Sequence, residues 1–268
     1  MKIDLHTHHE RCGHAVGSLK DYIEHAIKNG VSIIGISDHS PFFHHEEDRI
    51  IPKASMAKSE FCNYVFEVLQ LKEKYKEKIE ILLGVESSFY PEYYETYNNI
   101  YREFPFDYII GSVHHTNGLN IYKKERWKDL SEEQCHKEVE LYNELIQRLA
   151  KSRCFNIVGH LDAFKNFYPE EFSIKSHITD RSLETIAKYD VAIEVNTSGL
   201  TKECNEWFPS YEVLERAFFY GIKVTFASDA HSPERICEGW FDVVKALKKI
   251  GYNELAIFRY GKRTMIKI

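Results

Sequence analysis

Short apolar, β-branched runs alternate with longer amphipathic segments along almost the whole chain. The runs near 2–6, 32–37, 80–86, 107–114, 156–161, 191–197 and 222–229 have the length and composition of strands. Segments near 18–29, 53–78, 131–152, 177–189, 210–220 and 234–250 carry the periodicity of helices with one buried face. Strand and helix in alternation predict a parallel sheet with helices packed over it. Asn29-Gly30 and Tyr220-Gly221 each close a helical pattern just before a strand, as a left-handed helix ending requires. The run Leu255-Ala256-Ile257-Phe258 predicts an eighth, peripheral strand. Two irregular stretches interrupt the alternation, Ser40 to Pro52 and the tyrosine-rich Phe89 to Phe106. Each follows a strand end and is expected to wall or cover what lies there.

The 268 residues suit one barrel-sized unit. With no internal repeat, low-complexity tract or linker, residues 1–268 are expected to form a single domain. A formal charge of -6 offers no field for nucleic acid or an anionic membrane, so neither is expected as a partner. The chain runs from Met1 straight into a strand and contains no stretch of about 18 apolar residues. Six cysteines without C-x-x-C spacing suit reduced thiols, and a cytoplasmic location is expected.

What changes the picture is the residues at the strand ends. In Lys2-Ile3-Asp4-Leu5-His6-Thr7-His8, residues two apart point to the same side, so both imidazoles face one point. Asp229-x-His231 repeats the device after the last buried run, and His39, Glu86, His114 and His160 each close a run between them. His14 follows in a loop. A single strand-end histidine is more often hydrogen-bonded than a ligand; the joint placement of eight groups at strand ends, with His14 in a loop beside the first, carries the metal reading. In a parallel barrel these ends converge on one face. Imidazole donors favour Zn, Mn or Fe over Mg or Ca, and nine ligands exceed one ion's needs, so two or three divalent transition-metal ions are expected. His9 and His115 alternate away from the ligands, with substrate contact as their furthest role. His25 and His136 lie in helical patterns, and His44-His45 in a polar loop.

His6-Thr7-His8, Ser37-Asp38-His39, Ser112-Val113-His114 and Ser228-Asp229-Ala230-His231 resemble the four motifs of the polymerase and histidinol phosphatase (PHP) superfamily. Glu86 and His160 fall at the family's remaining ligand positions, in order, and the resemblance spans essentially the full chain. It implies an α/β protein, a distorted, TIM-like (β/α)7 barrel with a trinuclear site. His6, His8, Glu86 and Asp229 would bind one ion, Glu86, His114 and His160 a second, and His14, His39 and His231 a third.

Within the superfamily, Gly159-His160-Leu161-Asp162 and Glu194-Val195-Asn196-Thr197-Ser198-Gly199-Leu200 resemble stand-alone histidinol-phosphatases. Where those enzymes commonly carry phosphate-gripping arginines, this chain has Lys165-Asn166 and Thr201-Lys202. Lysine binds phosphate as a point charge without the bidentate fork. The expected reaction is hydrolysis of a small phosphate ester, L-histidinol phosphate first, by a metal-bridging hydroxide that attacks phosphorus. Lys165, Lys202, Arg235 and Arg49 are the expected phosphate cations, with His115 beside the substrate. Asp162 or His231 would protonate the leaving group, and Asp38 would orient a ligand ring. The alternatives are a PHP phosphoesterase acting on another small ester or nucleotide, and a metal-dependent amidohydrolase. The amidohydrolase's usual bridging lysine has no counterpart among these strand ends, where Glu86 stands instead.

Overall fold

A computed structural model of the chain describes residues 1–167 and 177–268. In chain order the first half runs β1 (Ile3–Asp4), α1 (Leu19–Lys28), β2 (Ile33–Ile36), α2 (Phe61–Tyr75), β3 (Glu80–Leu83), β4 (Glu86–Ser88), α3 (Tyr94–Tyr101) and β5 (Ile110–Ser112). There follow β6 (His115–Thr116), β7 (Leu119–Asn120), α4 (Glu125–Lys128), α5 (Glu132–Ser152), β8 (Ile157–Val158) and α6 (His177–Lys188). The last part is β9 (Ala192–Asn196), α7 (Tyr211–Phe219), β10 (Val224–Ala227), α8 (Trp240–Ile250), β11 (Glu254–Arg259) and β12 (Lys262–Lys267).

Parallel ladders form two sheets, β1-β2-β3 and β10-β9-β8-β5-β4. Hydrogen bonds carry the ring across both seams. Leu5 N–H donates to Phe226 O (3.0 Å) and His8 N–H to Ala230 O (2.9 Å), joining β1 to β10. Ser40 N–H donates to Glu86 O (2.8 Å) and Glu86 N–H to Ser37 O (3.0 Å), joining β2 to β4. Counting β3 and β4 as one broken strand, seven strand positions surround the axis, the distorted barrel that the motifs imply. The break falls at Gly84, where Tyr64 Oη donates to the Gly84 carbonyl (2.7 Å) and the Tyr108 ring packs directly on the glycine. Tyr108 Oη reaches on to Leu5 O (2.5 Å), so a phenol tethers β1 from inside the core.

Helix starts follow the local chemistry. Ser18 with Asp21 and Ser131 with Gln134 form reciprocal capping boxes ahead of α1 and α5, and Ser210 caps α7. Gly30 (φ 67°) and Gly221 (φ 74°) adopt the left-handed conformation expected after α1 and α7. Two expectations need correcting, and a third, the peripheral strand, gains a partner. The helix expected from 53 begins at Phe61, because Ala57 is extended and a 3-10 turn at Lys58–Glu60 leads in, leaving 53–57 free to run along the barrel mouth. The stretch from Phe89 to Phe106 contains a helix, α3, whose Tyr97 and Tyr101 are buried. The eighth strand is one arm of a hairpin, β11–β12, with Leu255 to Phe258 buried against the barrel. All six cysteines are free thiols. Among the described residues no helix is long and apolar enough to cross a membrane.

Candidate metal centre

The strand ends on one face of the ring bring all nine expected ligands together. Glu86 is central and buried. Its Oε1 lies 3.2 Å from His114 Nε2 and 3.1 Å from His160 Nε2, and its Oε2 lies 2.7 Å from His39 Nδ1, 3.5 Å from His6 Nε2 and 3.7 Å from His8 Nε2. Asp229 Oδ1 stands 3.0 Å from His8 Nε2 and 3.8 Å from His6 Nε2. His14 and His231 meet Nε2 to Nε2 at 3.0 Å, as do His6 and His8. Three triads, His6/His8/Glu86, His39/Glu86/His114 and His8/His39/His231, each offer donor atoms within 4.8 Å of one another. The backbone bends to make this possible: His160 (φ 25°) and Asp229 (φ 52°) are non-glycine residues at positive φ. Such strain, about 1–3 kcal/mol per residue, persists only where surrounding structure holds it in place.

The ring nitrogens are sorted by role. His6 Nδ1 contacts Glu194 Oε2 (2.9 Å), His8 Nδ1 contacts Asp38 Oδ1 (3.2 Å), His114 Nδ1 contacts Ser88 Oγ (2.7 Å) and His231 Nδ1 contacts the Asp229 carbonyl (2.9 Å). With Nδ1 carrying the proton toward an oxygen, each Nε2 lone pair points into the centre, the arrangement metal-binding histidines require. His39 is reversed, with Nδ1 inward.

Two observations test whether a metal fits. Glu86 Oε2 is buried and accepts no hydrogen bond among the described residues, despite three ring nitrogens nearby. Nε2 atoms facing one another in pairs at 3.0 Å cannot both be donors, so lone pairs converge on the same space. The donor set, imidazole with two carboxylates, suits two or three divalent transition-metal ions. Electrostatics agree. Burial raises the cost of charge on Glu86 and Asp229, yet the surrounding imidazoles outweigh it and hold both well below the usual carboxylate range. Burial also opposes protonation of His8, but Asp229 and Asp38 lift it to about 9, whereas burial depresses His39 to about 4 and His231 to about 3. Cys12 lies near His8 and Asp38, but burial pushes its thiol up and its Sγ–H donates to His9 O (3.1 Å).

Above the centre opens a cavity of about 400 Å³. Lys202, Arg235 and His115 line it, as expected of substrate contacts, and so do His14, His39, Glu86, His114, His160, Asp229 and His231. Four expected substrate or acid–base residues do not. Lys165 sits in a 3-10 turn after β8, where its ammonium is spent on Asp162 (3.1 Å), Glu206 (2.8 Å) and the Trp207 carbonyl (2.6 Å). Asp162 is buried with it and also accepts from Ser210 N–H (2.9 Å). Arg49 donates to the carbonyls of Arg11 (2.8 Å) and Ser55 (3.0 Å), bracing the loop after β2. Asp38 is fully buried between His8 and His9, Oδ2 lying 2.8 Å from His9 Nδ1.

Glu194, Ser88, Lys53, Asn120 and Tyr122 escaped the sequence reading. Lys53, Asn120 and Tyr122 line the cavity; Glu194 holds His6 and, through Oε1, the His160 N–H (2.8 Å) and Asn196 Nδ2 (2.7 Å). One signal was available for Glu194: it is the lone charge inside the apolar run of β9, two residues from Asn196 on the same face.

The PHP domain family model matches residues 4–198. The chain belongs to the PHP domain family. Among its relatives, a probable histidinol-phosphatase of Schizosaccharomyces pombe is 28% identical over 97% of this chain and 90% of its own length. Another, of Deinococcus radiodurans, is 26% identical over 97% of each. The crystal structure of histidinol phosphate phosphatase from Lactococcus lactis subsp. lactis, complexed with zinc, L-histidinol and phosphate, superposes with a TM-score of 0.81 at 24% identity. That match covers 98% of both chains and shows the shared PHP fold.

Proposed function

We propose that this PHP chain is a metal-dependent phosphomonoesterase that hydrolyses L-histidinol phosphate to L-histidinol and phosphate. The observation that carries the reading is the gathering of seven imidazoles around Glu86 and Asp229 beneath one cavity, in a chain whose full-length relatives are named histidinol-phosphatases. The ligand set would be His6, His8, His14, His39, Glu86, His114, His160, Asp229 and His231, holding two or three Zn, Mn or Fe ions. Bound there, divalent ions lower the pKa of a coordinated water and neutralise phosphoryl oxygens.

The chain's own residues supply binding and orientation. Glu194 and Asp38 fix the tautomers of His6 and His8, and Ser88 orients the His114 ring. Ser198 Oγ (3.1 Å) and Asn196 Nδ2 (3.3 Å) donate to Asp229 Oδ2, leaving Oδ1 free for the centre. Lys202 and Arg235, joined by Lys53, supply positive charge on the cavity wall for the phosphate, in place of Lys165 and Arg49. Residues 1–268 act as one unit in this reading. Its support is the return of the C-terminal hairpin to the barrel, where Arg259 pairs with Glu80 (2.5 Å) and Gly261 N–H donates to Asp107 O (2.9 Å).

The test is a steady-state comparison of the metal-loaded protein on L-histidinol phosphate, nucleoside monophosphates and a generic aryl phosphate, with metal analysis. A kcat/KM for L-histidinol phosphate no better than for the aryl ester removes this substrate. Activity surviving complete chelation removes the metal mechanism.

A further inference from the structure

The cavity has two unlike rims. Around the ring, β5 stands across from β10, reached through β9 and β8 in one direction and through β1, β2 and β4 in the other. On the β9–β10 side lie Lys202 and Arg235, and Arg235 Nη2 is buried with no hydrogen-bond partner among the described residues. On the β5 side the rim is uncharged and largely aromatic, formed by His115, Asn120 and Tyr122 with Phe42 nearby, while the third cation, Lys53, stands apart from them in the loop after β2. His115 stacks on Tyr90 at 6.2 Å and 28°, and its Nδ1 is buried and unpartnered among the described residues. A phosphoryl dianion belongs on the cationic side, which sends the leaving group to the other. A flat heteroaromatic ring with an N–H or a lone pair matches an unpaired ring nitrogen beside an aromatic face.

His115 and Asn120 face each other as a pair in the hairpin β6–β7, which has only one other pair, Thr116 with Leu119. The turn is Asn117-Gly118, both at positive φ. So short a hairpin is not stable by itself. One carboxylate from a neighbouring helix anchors it. Glu138 of α5 accepts from Thr116 Oγ1, from Asn117 Nδ2 (2.6 Å) and from Arg126 Nη2 (2.5 Å), while Arg126 Nη1 donates to Leu119 O (2.7 Å). The Arg126 and Glu138 side chains are 5% and 13% exposed, so this anchor is largely shielded from water. The first strand, the turn and the returning strand thus all converge on Glu138.

We propose that Glu138 is a positioning residue for leaving-group recognition: it fixes the β6–β7 hairpin so that His115 and Asn120 meet the organic part of the ester. This rests on the phosphomonoesterase reading above.

The test uses the metal-loaded full chain and two substrates, L-histidinol phosphate and phenyl phosphate, whose bare ring lacks a group for His115. Glu138→Ala raises KM for L-histidinol phosphate by about tenfold to a hundredfold, the cost of misplacing a binding group by about an ångström, with kcat little changed. Its kcat/KM for phenyl phosphate and its metal content stay at wild-type values. Equal losses on both substrates, or an unchanged KM, overturn the proposal. Because the hairpin also touches the ligand strand, through Ile121 N–H to His114 O (2.9 Å), Thr116→Val and Glu138→Gln serve as milder variants should Glu138→Ala not fold. They show the same selective rise in smaller degree, and no selectivity in either overturns the proposal. A wild-type protein that does not prefer L-histidinol phosphate sinks the functional reading itself, an outcome distinct from a preference the variants fail to erode.

Discussion

Glu194→Gln changes one charge and almost no volume in the most enclosed part of the site, where Glu194 is 1% exposed. Its Oε1 is held by two fixed donors, the His160 N–H at 2.8 Å and Asn196 Nδ2 at 2.7 Å. The glutamine carbonyl must take that place, which turns the amide NH2 toward His6 Nδ1, 2.9 Å away. His6 then has to accept at Nδ1 and carry its proton on Nε2. That atom faces His8 Nε2, Glu86 and Asp229, and a protonated nitrogen has no lone pair for an ion. Burial already opposes charge on His6, and Glu194 is the first of the carboxylates that offset it, so the variant cannot escape by forming imidazolium. Loss of such an orienting partner costs about 10–100-fold in metal affinity or activity. That is about 1.4–2.7 kcal/mol. The assay is elemental analysis after gel filtration, followed by titration with a graded chelator and activity at each metal occupancy. The variant should lose metal at lower chelator concentration and recover most of its kcat in excess metal. Wild-type metal affinity in a folded Glu194→Gln protein would refute the tautomer argument.

His114→Ala and Asp229→Ala should each abolish phosphatase activity while near-UV circular dichroism stays native; near-normal turnover by either metal-loaded variant contradicts the proposed site. The metal-free protein should lose thermal stability as pH rises from 6.5 through about 9. His8 is lifted to about 9 and His6 and His160 are also raised, so the folded state binds more protons than the unfolded chain in this window, and the stability present below 6.5 is lost above it. The depressed His39 and His231 act only below 6.5, and a flat or rising melting temperature across the upper window contradicts the assignment. Gly84→Ala would drive a Cβ into the Tyr108 ring, and overpacking of this kind costs about 1–3 kcal/mol in urea unfolding. A variant as stable as wild type would mean that the break between β3 and β4 relaxes freely.

The alternation of runs placed every barrel strand to within a few residues, because a strand buried on both faces must be apolar throughout and period and length then identify it. Helix starts were legible where a Ser stood three residues before an Asp or Gln, and illegible at 53–60, where a helical pattern runs through turns, an extended Ala57 and a 3-10 turn before the helix proper begins at Phe61. The β6–β7 hairpin was missed although Asn117-Gly118 announces such a turn, since its flanking runs are too short to stand out.

All nine candidate ligands could be read from the chain alone, because His-x-His alternation and strand-end position are local properties. What they are worth was decided in three dimensions. Lys165 follows a ligand strand as closely in sequence as Lys202 follows β9, yet one ammonium is buried against Asp162 and Glu206 while the other lines the cavity. Glu194 lies 188 residues from His6 and still fixes its proton. Strand periodicity determines which face a side chain takes, but its partners are set by ring closure, which brings distant strand ends within hydrogen-bonding reach.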